Sequence, residues 1–431
     1  MELCSSYRAE LLQSILAHKS IVAPVRRLPN ELLVEIFKLA ARDAFRHPWS
    51  LPWSQPPWTL PRVCRRWAAV SLGTASLWSR VLLNLDVVGV GQGTIMMTEL
   101  LHKRSESTPL KLQICEYYEG ETRGVLDVLL AHCERWQYVH LYLTGGSSML
   151  FEIATIRGRL PILNKLKIDA ELYPDDPESL AEFRDIFATA PNLTAVYAMF
   201  EDSESELCRP PFEFPWSQLT TLSIGFYCGE DALPILPQLS TIVNLRVHLG
   251  FVDALATQSP ITLPDLRMLE IEANYSLYRH SLLSCLTTPL LEHLVVQQEA
   301  NKDAILSFMT RSGCKLKSFH FIHEEICLED VLSLVHEMPY LGELKIGDFA
   351  AGEASHTPVS ITRALHTHWL GVRDKAGGLP LSVCIADKDY RPIDQEVASI
   401  MEKDGLFIKM SADWQSDSLV NAKFDPRYSV M

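Results

Sequence analysis

Along most of the chain, apolar residues recur in the short pattern apolar-x-x-apolar-x-apolar, whose last positions alternate as they do in a β-strand. A proline or a polar turn precedes most copies. The clearest copies begin at Leu163, Leu219, Leu266, Leu291, Leu316 and Leu341, and weaker ones at Trp78, Ser107, Trp136, Leu193, Ile242 and Gly378. Helical spacing between copies is clearest around Phe183, Phe308 and Leu334. The pattern predicts a strand in each copy and a helix after several of them.

Successive copies lie 23 to 30 residues apart as far as Leu341, and the four copies from Leu266 to Leu341 are spaced by 25 residues. This period and strand pattern resemble those of leucine-rich repeats, in which stacked units bury a shared core. The resemblance implies a solenoid over residues 85–411 with a parallel sheet on its inner face. The family's asparagine after the strand occurs only at Asn274, so the solenoid is expected to be irregular.

The two ends of the chain follow other patterns. Apolar residues at every fourth position from Leu3 to Ile15 predict an amphipathic helix within residues 1–24. This helix either packs on the next domain or forms a short coiled-coil arm. After Gly378, a strand, a helix that ends at Gly405 and a last strand are expected to cap the array, followed by a tail over residues 412–431.

Residues 25–84 predict a compact helical unit. The segment NELLVEIFKLAARDAF has helical apolar spacing, with Pro29 at its start, where a missing amide hydrogen costs nothing. A second helix, RVCRRWAAVSLG, follows, and ASLWSRVLLNL turns into a strand. Residues 46–61, between the two helices, are rich in proline and tryptophan and predict an extended insertion.

Three short motifs follow one another in this unit. They are Leu28-Pro29-x-Glu31-Leu32 continuing to Ile36-Phe37, then Val63-Cys64-Arg65-Arg66-Trp67, then Ser76-Leu77-Trp78. As a set they resemble the F-box, and the order of arm, F-box and irregular repeats resembles the large F-box families of mushroom-forming fungi. The resemblance implies an α/β fold class, with a trihelical F-box over 25–84 followed by the solenoid. The family joins its first two helices by a short link, so the 46–61 insertion either loops out or covers part of the partner surface.

Known F-boxes bind the Skp-type linker protein of cullin-RING ubiquitin ligases, and the resemblance implies the same partner here. A unit of this size also shows more apolar surface than it can bury alone. Residues 1–84 hold eleven Lys and Arg against five Asp and Glu, and this balance of +6 suits an acidic partner. The expected linker-binding residues are Leu28, Pro29, Glu31, Leu32, Ile36, Phe37, Val63, Cys64, Trp67 and Trp78.

Charge and composition exclude several classes of function. The remaining residues carry 28 Lys and Arg against 48 Asp and Glu, and the net charge of −14 argues against nucleic-acid or membrane-surface partners. No apolar run approaches the ~20 residues of a membrane span, and the N-terminus lacks the apolar stretch of a signal peptide. The ten cysteines form no CxxC pair and are expected to be reduced thiols of an intracellular protein, cytoplasmic and/or nuclear.

Two features imitate catalytic or metal sites. Gly89-x-Gly91-x-Gly93 follows a strand, as in a dinucleotide-binding unit, but the third glycine comes one position early and a turn is predicted. His366 and His368 lack a third ligand at a recognisable spacing. No GxSxG, HExxH or Walker motif occurs, so no catalytic residue, metal or cofactor is predicted.

The predicted function is that of a non-catalytic substrate receptor of an SCF-type ubiquitin ligase. The F-box docks on the linker, and through it on cullin, while the repeats hold an unknown protein target for ubiquitylation. The alternatives are a scaffold that acts without ubiquitylation and a nucleotide-dependent oxidoreductase. Alternate strand positions face away from the core, and those expected to bind the target are Met268, Glu270, His293, Val295, His320, Ile322 and Lys345. The histidines near them, His248, His293 and His320, predict that target binding depends on pH.

Overall fold

The structure, a computed structural model, divides into two units, Met1–Trp136 and Gln137–Met431. It describes residues 12, 14–15, 24–44, 55–84, 90–115, 123–144, 148–171, 182–200, 212–228, 232–251, 260–273, 282–297, 301–322, 328–347, 365–367, 380–386, 402 and 406–411. The predicted tail over residues 412–431 lies outside these residues, as does most of the predicted N-terminal helix. Of that helix, Leu12, Ser14 and Ile15 are described and helical, and Leu12 and Ile15 are exposed.

The first unit is mainly helical. Its elements are a 3-10 turn (Pro24–Arg27), α1 (Asn30–Ala44), a 3-10 turn (Leu60–Arg62), α2 (Arg65–Leu72), a 3-10 turn (Ala75–Trp78), β1 (Arg80–Asn84), α3 (Val90–Glu99) with a π-helical turn (Leu100–Arg104), β2 (Leu110–Cys115) and α4 (Arg123–Leu130). Strands β1 and β2 are parallel, with Arg80 opposite Lys111. The two predicted helices of residues 25–84 are therefore confirmed, and the third segment, around Ala75–Trp78, is a 3-10 turn.

The second unit is built on parallel strands. The strands are β3 (Trp136–Thr144), β4 (Lys165–Glu171), β5 (Ala195–Phe200), β6 (Thr221–Cys228), β7 (Asn244–Phe251), β8 (Ile261–Thr262), β9 (Met268–Ala273), β10 (Leu286–Thr287), β11 (His293–Gln297), β12 (Ser318–Ile322), β13 (Glu343–Gly347), β14 (Leu381–Ala386) and β15 (Leu406–Ser411). The helices are α5 (Ser148–Ile153), α6 (Lys302–Ser312) and α7 (Leu328–His336), with 3-10 turns at Ala154–Ile156, Trp216–Gln218, Leu236–Gln238 and Leu282–Cys285. Strands β8 and β10 form a small sheet of their own.

The fold class is α/β, and thirteen of the described strands form a parallel sheet in sequence order. Each of the twelve predicted copies is a strand, and so is the predicted last strand at Leu406–Ser411. A parallel arrangement needs a connection that crosses back between strands, and a repeat of about 25 residues provides it. The predicted strands are confirmed in order and direction, whereas β8 and β10 were not predicted.

Alternation of side chains divides this sheet into a core face and an opposite face, here called the inner face. On the core face, residues such as Leu269, Ile271, Leu294 and Val296 are completely buried. At the edge where the strands begin, the backbone N–H just before each of the strands β4–β7, β9 and β11–β13 donates to the preceding strand segment, as in Arg267 N to Val243 O at 2.9 Å. This ladder holds successive strands in the same register.

Helix α6 shows how local sequence sets the boundaries of these elements. The Asn301 side chain accepts a hydrogen bond from Ala304 N at 3.0 Å, which caps the N-terminus. Gly313 ends the helix with φ at +61°, a conformation that glycine adopts without strain. Ile305 and Phe308 are buried, so this predicted helix is confirmed.

Two local predictions are wrong. Around Phe183, the chain forms a 3-10 segment and turns over residues 182–189, although Phe183 and Phe187 are buried as a helix would require. Gly91 and Gly93 lie inside helix α3 and so are not part of a turn. None of the helices in the described part of the chain has both the length and the apolar character that a membrane span needs.

Candidate functional site

Helix α1 has apolar residues on two neighbouring faces, and the first unit buries only one of them. Leu33 and Phe37 are completely buried. Leu32, Ile36 and Leu39, spaced by four and three residues, form a neighbouring stripe that is exposed to 51%, 43% and 54%. An exposed stripe of three large apolar side chains on one helix is typical of a surface that a partner protein covers.

The start of α2 extends this surface. Val63 and Cys64 precede the helix and are both exposed, and Cys64 is a free thiol. Trp67 is half-buried and packs on Phe37, with 4.8 Å between ring centroids. Of the expected linker-binding residues, Pro29, Glu31, Leu32, Ile36, Val63 and Cys64 are exposed, and Leu28 and Trp67 are half-buried.

Phe37 and Trp78 do not belong to this surface, and that part of the prediction is wrong. Both side chains are completely buried. The indole Nε1–H of Trp78 donates to Ser71 O at 2.8 Å, which ties the 3-10 turn to the end of α2. These large aromatic rings form the core that joins the helices of the first unit.

Arg66 fastens the loop that leads into α1. Its Nη1 donates to Arg26 O at 2.7 Å, and its Nε and Nη2 donate to Asn30 Oδ1 at 3.1 and 2.9 Å. Nη2 also donates to Leu28 O. A planar guanidinium with five donors can bridge these acceptors at once. Arg66 therefore positions Leu28 and Pro29, and the neighbouring Arg65 is exposed.

The end of the predicted insertion belongs to the core of the first unit. Trp58 packs edge-on against Trp78, with 5.2 Å between centroids, and Leu60 is buried. The guanidinium of Arg104, which is paired with Glu99, lies 4.6 Å from the Trp58 ring and 4.3 Å from the Trp78 ring. Residues 45–54 lie outside the described residues, but 55–60 do not loop out.

The inner face of the second unit does not expose the predicted target-binding patch. Its members Met268, Glu270, Val295, His320, Ile322 and Lys345 are buried, and His293 is half-buried. Neighbouring strands bring Glu270, Val295 and His320 side by side in register. Met268 and Val295 join Ala195 and Tyr197 in a buried apolar cluster. The prediction of an exposed apolar centre is therefore wrong, because these side chains pack on one another.

Ion pairs cross from β7 to β9 on this face. Arg246 Nη2 lies 2.5 Å from Glu270 Oε1, and His248 Nδ1 lies 2.9 Å from Glu272 Oε2. Burial raises the pKa of Glu270, and the charge of Arg246 only partly opposes it. A hydrogen bond from His248 lowers the pKa of Glu272. These charged pairs tie adjacent strands together.

A second polar cluster lies on β12 and β13. Ser318 Oγ donates to Glu343 Oε2 at 3.0 Å and lies 3.1 Å from His320 Nε2. The same His320 Nε2 is 3.6 Å from Glu343, and Lys345 Nζ is 3.4 Å from Glu343. A nucleophile relay needs serine and carboxylate on opposite nitrogens of the imidazole, so this is not a Ser-His-acid triad.

Electrostatics at this cluster favour a neutral imidazole beside a charged carboxylate. Burial lowers the pKa of His320, although Glu343 partly opposes the shift. The neighbouring His320 is the main cause that lowers the pKa of Glu343 to about 2. A neutral imidazole can still donate from one nitrogen, so the pair is compatible with burial.

A third cluster, on β3 and β4, is more open. His140 Nε2 lies 2.8 Å from Asp169 Oδ2, and Lys167 Nζ lies 2.7 Å from the same oxygen. Burial opposes ionisation of Asp169, but its two partners together lower its pKa. All three side chains remain partly exposed.

The candidate metal and nucleotide residues are only partly described. Among the residues that the structure describes, no group of three or more His, Cys, Asp or Glu could hold a metal ion. His366 is helical and half-buried, and His368 lies outside the described residues. Gly91 and Gly93 are helical, so neither forms the predicted turn.

No protein-family model matches the chain, and no curated protein matches it significantly.

Three interactions of the structure were not predicted from the sequence. Arg66 belongs to the motif Val63-Cys64-Arg65-Arg66-Trp67, but its acceptors lie up to 40 residues away in the chain. The contact of Trp58 with Arg104 is equally remote in sequence. The β3–β4 cluster could have been predicted, because polar residues alternate with apolar ones in both WQYVHLYLT and KLKIDAE and therefore share one face.

Proposed function

We propose that the chain is a non-catalytic substrate receptor of an SCF-type ubiquitin ligase. The first unit docks on a Skp-type linker protein through an F-box, and the second unit holds a protein target. The observation that carries the proposal is the double apolar face of α1. Leu33 and Phe37 bury one face in the unit itself, and Leu32, Ile36 and Leu39 leave the other face exposed.

The exposed residues come from the motifs that resemble the F-box. Pro29, Leu32 and Ile36 belong to the first motif, and Val63 and Cys64 belong to the second. Arg66 fixes the entry into α1 by its bonds to backbone carbonyls, which holds the first motif in one conformation. A surface that is ordered before binding costs less entropy on association.

Charge supports an acidic partner for residues 1–84, the N-terminal part of the first unit. The balance of +6 over residues 1–84 contrasts with the excess of acidic residues in the remainder. Opposite potentials raise association rates and reject partners of the wrong sign. The second unit repels an acidic linker by the same argument, so docking belongs to the first unit.

The role of the second unit is presentation of a target. A long parallel sheet offers a wide, rigid surface, and catalysis would come from the ubiquitin-carrying enzyme that the linker and cullin bring close. The chain then contributes proximity between that enzyme and a lysine of the target.

Reconstitution tests this function against a scaffold. The chain is mixed with linker, cullin, RING subunit and ubiquitin-conjugating enzyme, together with proteins that co-purify with it. A receptor transfers ubiquitin to a co-purifying protein, and transfer stops when Leu32 and Ile36 are both replaced by Asp. A complex that assembles without any transfer would establish the scaffold, and a chain that does not bind the linker would exclude both.

A further inference from the structure

Three exposed arginines border the apolar surface of the first unit. Arg27 directly precedes the first motif that resembles the F-box, and Arg62 and Arg65 stand on either side of the exposed Val63. All three arginines are themselves exposed. Because each adjoins an apolar part of the surface, these arginines, here called the basic rim, form a charged edge to it. A charged or polar rim around an apolar centre is the usual layout of a protein–protein interface.

Arg66 brings the two parts of the basic rim together. Its guanidinium donates to the backbone carbonyls of the residues before and after Arg27, at 2.7 Å for the first of them. Arg62 lies in the 3-10 turn before α2, and Arg65 is the first residue of that helix. The rim therefore combines two segments that are distant in sequence on a backbone that is fixed before any partner binds, which lowers the entropy lost on association.

The part of the chain that carries the rim has few carboxylates. Residues 24–84 contain nine Lys and Arg against three Asp and Glu, a balance of +6. The three acidic residues, Glu31, Glu35 and Asp43, all belong to α1, and Glu35 lies 2.8 Å from Lys38. Positive charges that are held close together repel one another. An acidic partner relieves this repulsion when it binds.

A protein fits this surface better than nucleic acid does. Val63, between two members of the rim, is exposed to 59%, and Leu32 and Ile36 on α1 are exposed to 51% and 43%. Nucleic acids are bound mostly through phosphates and sugars, which leave such apolar side chains uncovered. An acidic protein surface with an apolar centre covers both kinds of residue.

We propose that the basic rim binds an acidic segment of the Skp-type linker, next to the apolar contacts of the exposed stripe of α1. The inference rests on the proposed docking of the first unit on that linker. It gives the two parts of the surface different roles. The apolar stripe supplies most of the affinity, and Arg27, Arg62 and Arg65 speed the encounter and select a partner of the right charge.

Calorimetric titration of the full chain with the linker at two salt concentrations tests the rim. We expect the Kd of the wild type to rise at least about fivefold between about 0.05 M and about 0.3 M NaCl, because salt screens exposed charges. Arg27→Gln with Arg62→Gln and Arg65→Gln should weaken binding at least about fivefold at the lower salt concentration. The same triple variant should change its Kd by less than about twofold between the two salt concentrations.

The matched control is Lys103→Gln with Arg159→Gln and Lys315→Gln. These three side chains are also exposed, belong to none of the F-box-like motifs, and carry the same total charge as the rim. The control should keep Kd within about twofold of the wild type at both salt concentrations.

Two further variants keep the test decisive. Replacing all three rim arginines with Lys preserves their charge, and this variant should bind within about threefold of the wild type, with the wild-type salt dependence. If circular dichroism shows that the triple Gln variant is unfolded, Arg27→Gln with Arg62→Gln leaves α2 unchanged. This pair should weaken binding at least about threefold at the lower salt concentration.

The inference is overturned if the rim and control variants bind the linker equally, or if the Kd of the wild type does not change with salt. A short DNA duplex, titrated in the same way, is expected not to bind. A duplex that binds as tightly as the linker and loses affinity in the rim variant would assign the rim to nucleic acid.

Failure of the rim and failure of the docking give different results. Linker binding that the rim substitutions leave unchanged removes the role of the rim, and the docking of the first unit stands. A wild-type chain that does not bind the linker removes the docking, and the role of the rim with it.

Discussion

At the scale of single residues, Arg66 decides the shape of the N-terminal surface. Its guanidinium reaches Arg26 O, Leu28 O and Asn30 Oδ1, so one side chain holds the turn before α1 from three sides. Lysine carries the same charge but offers a single ammonium in place of a planar fork. The geometry of the side chain therefore matters more here than its charge.

We expect Arg66→Lys to lower the free energy of unfolding of the first unit by about 1–2 kcal/mol, since most of its hydrogen bonds to the loop are lost. Arg65→Lys is the matched control, because Arg65 is exposed, and it should change the value by less than about 0.5 kcal/mol. Urea unfolding followed by tryptophan fluorescence measures both variants. Equal effects of the two would show that Arg66 does not fasten the loop.

Because His320 is buried, we expect its protonation to affect the stability of the second unit and not target binding. The ring is 2% exposed, so it cannot contact a target in this conformation. Burial lowers its pKa below the ordinary value of 6.5, with Ser318, Glu343 and Lys345 as its charged and polar neighbours. The unfolded chain therefore takes up this proton first as the pH falls.

We expect the wild type to lose stability as the pH falls from about 7 to about 5, with a slope from His320 of at most about 1.4 kcal/mol per pH unit. The sign follows because the unfolded state binds more protons below pH 6.5 than the folded state. In His320→Gln, this contribution disappears and the unfolding free energy varies less over the same range. Parallel pH profiles for the two proteins would contradict the assignment.

At the scale of elements, the sequence predicted strands far better than it predicted surfaces. Alternating apolar positions and preceding turns mark every copy from Trp78 to Gly378, and each is a strand. The burial of Val295 and Ile322 was not predictable, because alternation tells which face a residue occupies and not what packs on that face. The helix expected around Phe183 failed for a related reason, since buried residues at helical spacing also fit 3-10 turns.

The segment before α2 provides an element-scale prediction. We expect Trp58→Ala to destabilise the first unit by about 2–3 kcal/mol. The substitution uncovers Trp78 and removes the cation–π contact between Arg104 and the Trp58 ring. Trp58→Phe should cost less than half as much, since a smaller ring keeps part of the contact. Urea unfolding compares the variants. An unchanged Trp58→Ala protein would restore the view that this whole stretch loops out.

The inner face provides a second prediction at the scale of elements. We expect Val295→Asp to destabilise the second unit by at least about 3 kcal/mol, because an unpaired carboxylate would be buried next to Glu270. Val295→Ala, the size control, should cost about 1–3 kcal/mol from the cavity alone. Thermal unfolding measures both. If Val295→Asp is as stable as the wild type, the inner face is open at β11.

At the scale of the whole molecule, the two units differ in their charge and in the surface that they expose. The first offers an apolar stripe in a basic setting, and the second offers a long parallel sheet in an acidic one. The three motifs that resemble the F-box were readable from sequence because each is a short local pattern. Which of their residues reach the surface depended on the core, which buries Phe37 and Trp78 and leaves Leu32 and Ile36 outside.

Calorimetric titration of the purified chain with a Skp-type linker measures whether the first unit docks on that linker. We expect one-to-one binding with Kd on the order of 1 μM or tighter. Replacing Leu32, Ile36 and Val63 together with Ala should weaken binding at least about thirtyfold, since apolar anchors dominate such interfaces. Replacing Phe151, Leu290 and Phe407, equally exposed apolar residues of the second unit, with Ala should leave Kd within about twofold. No binding by the wild type, or equal binding by both triple variants, would contradict docking through the exposed stripe of α1.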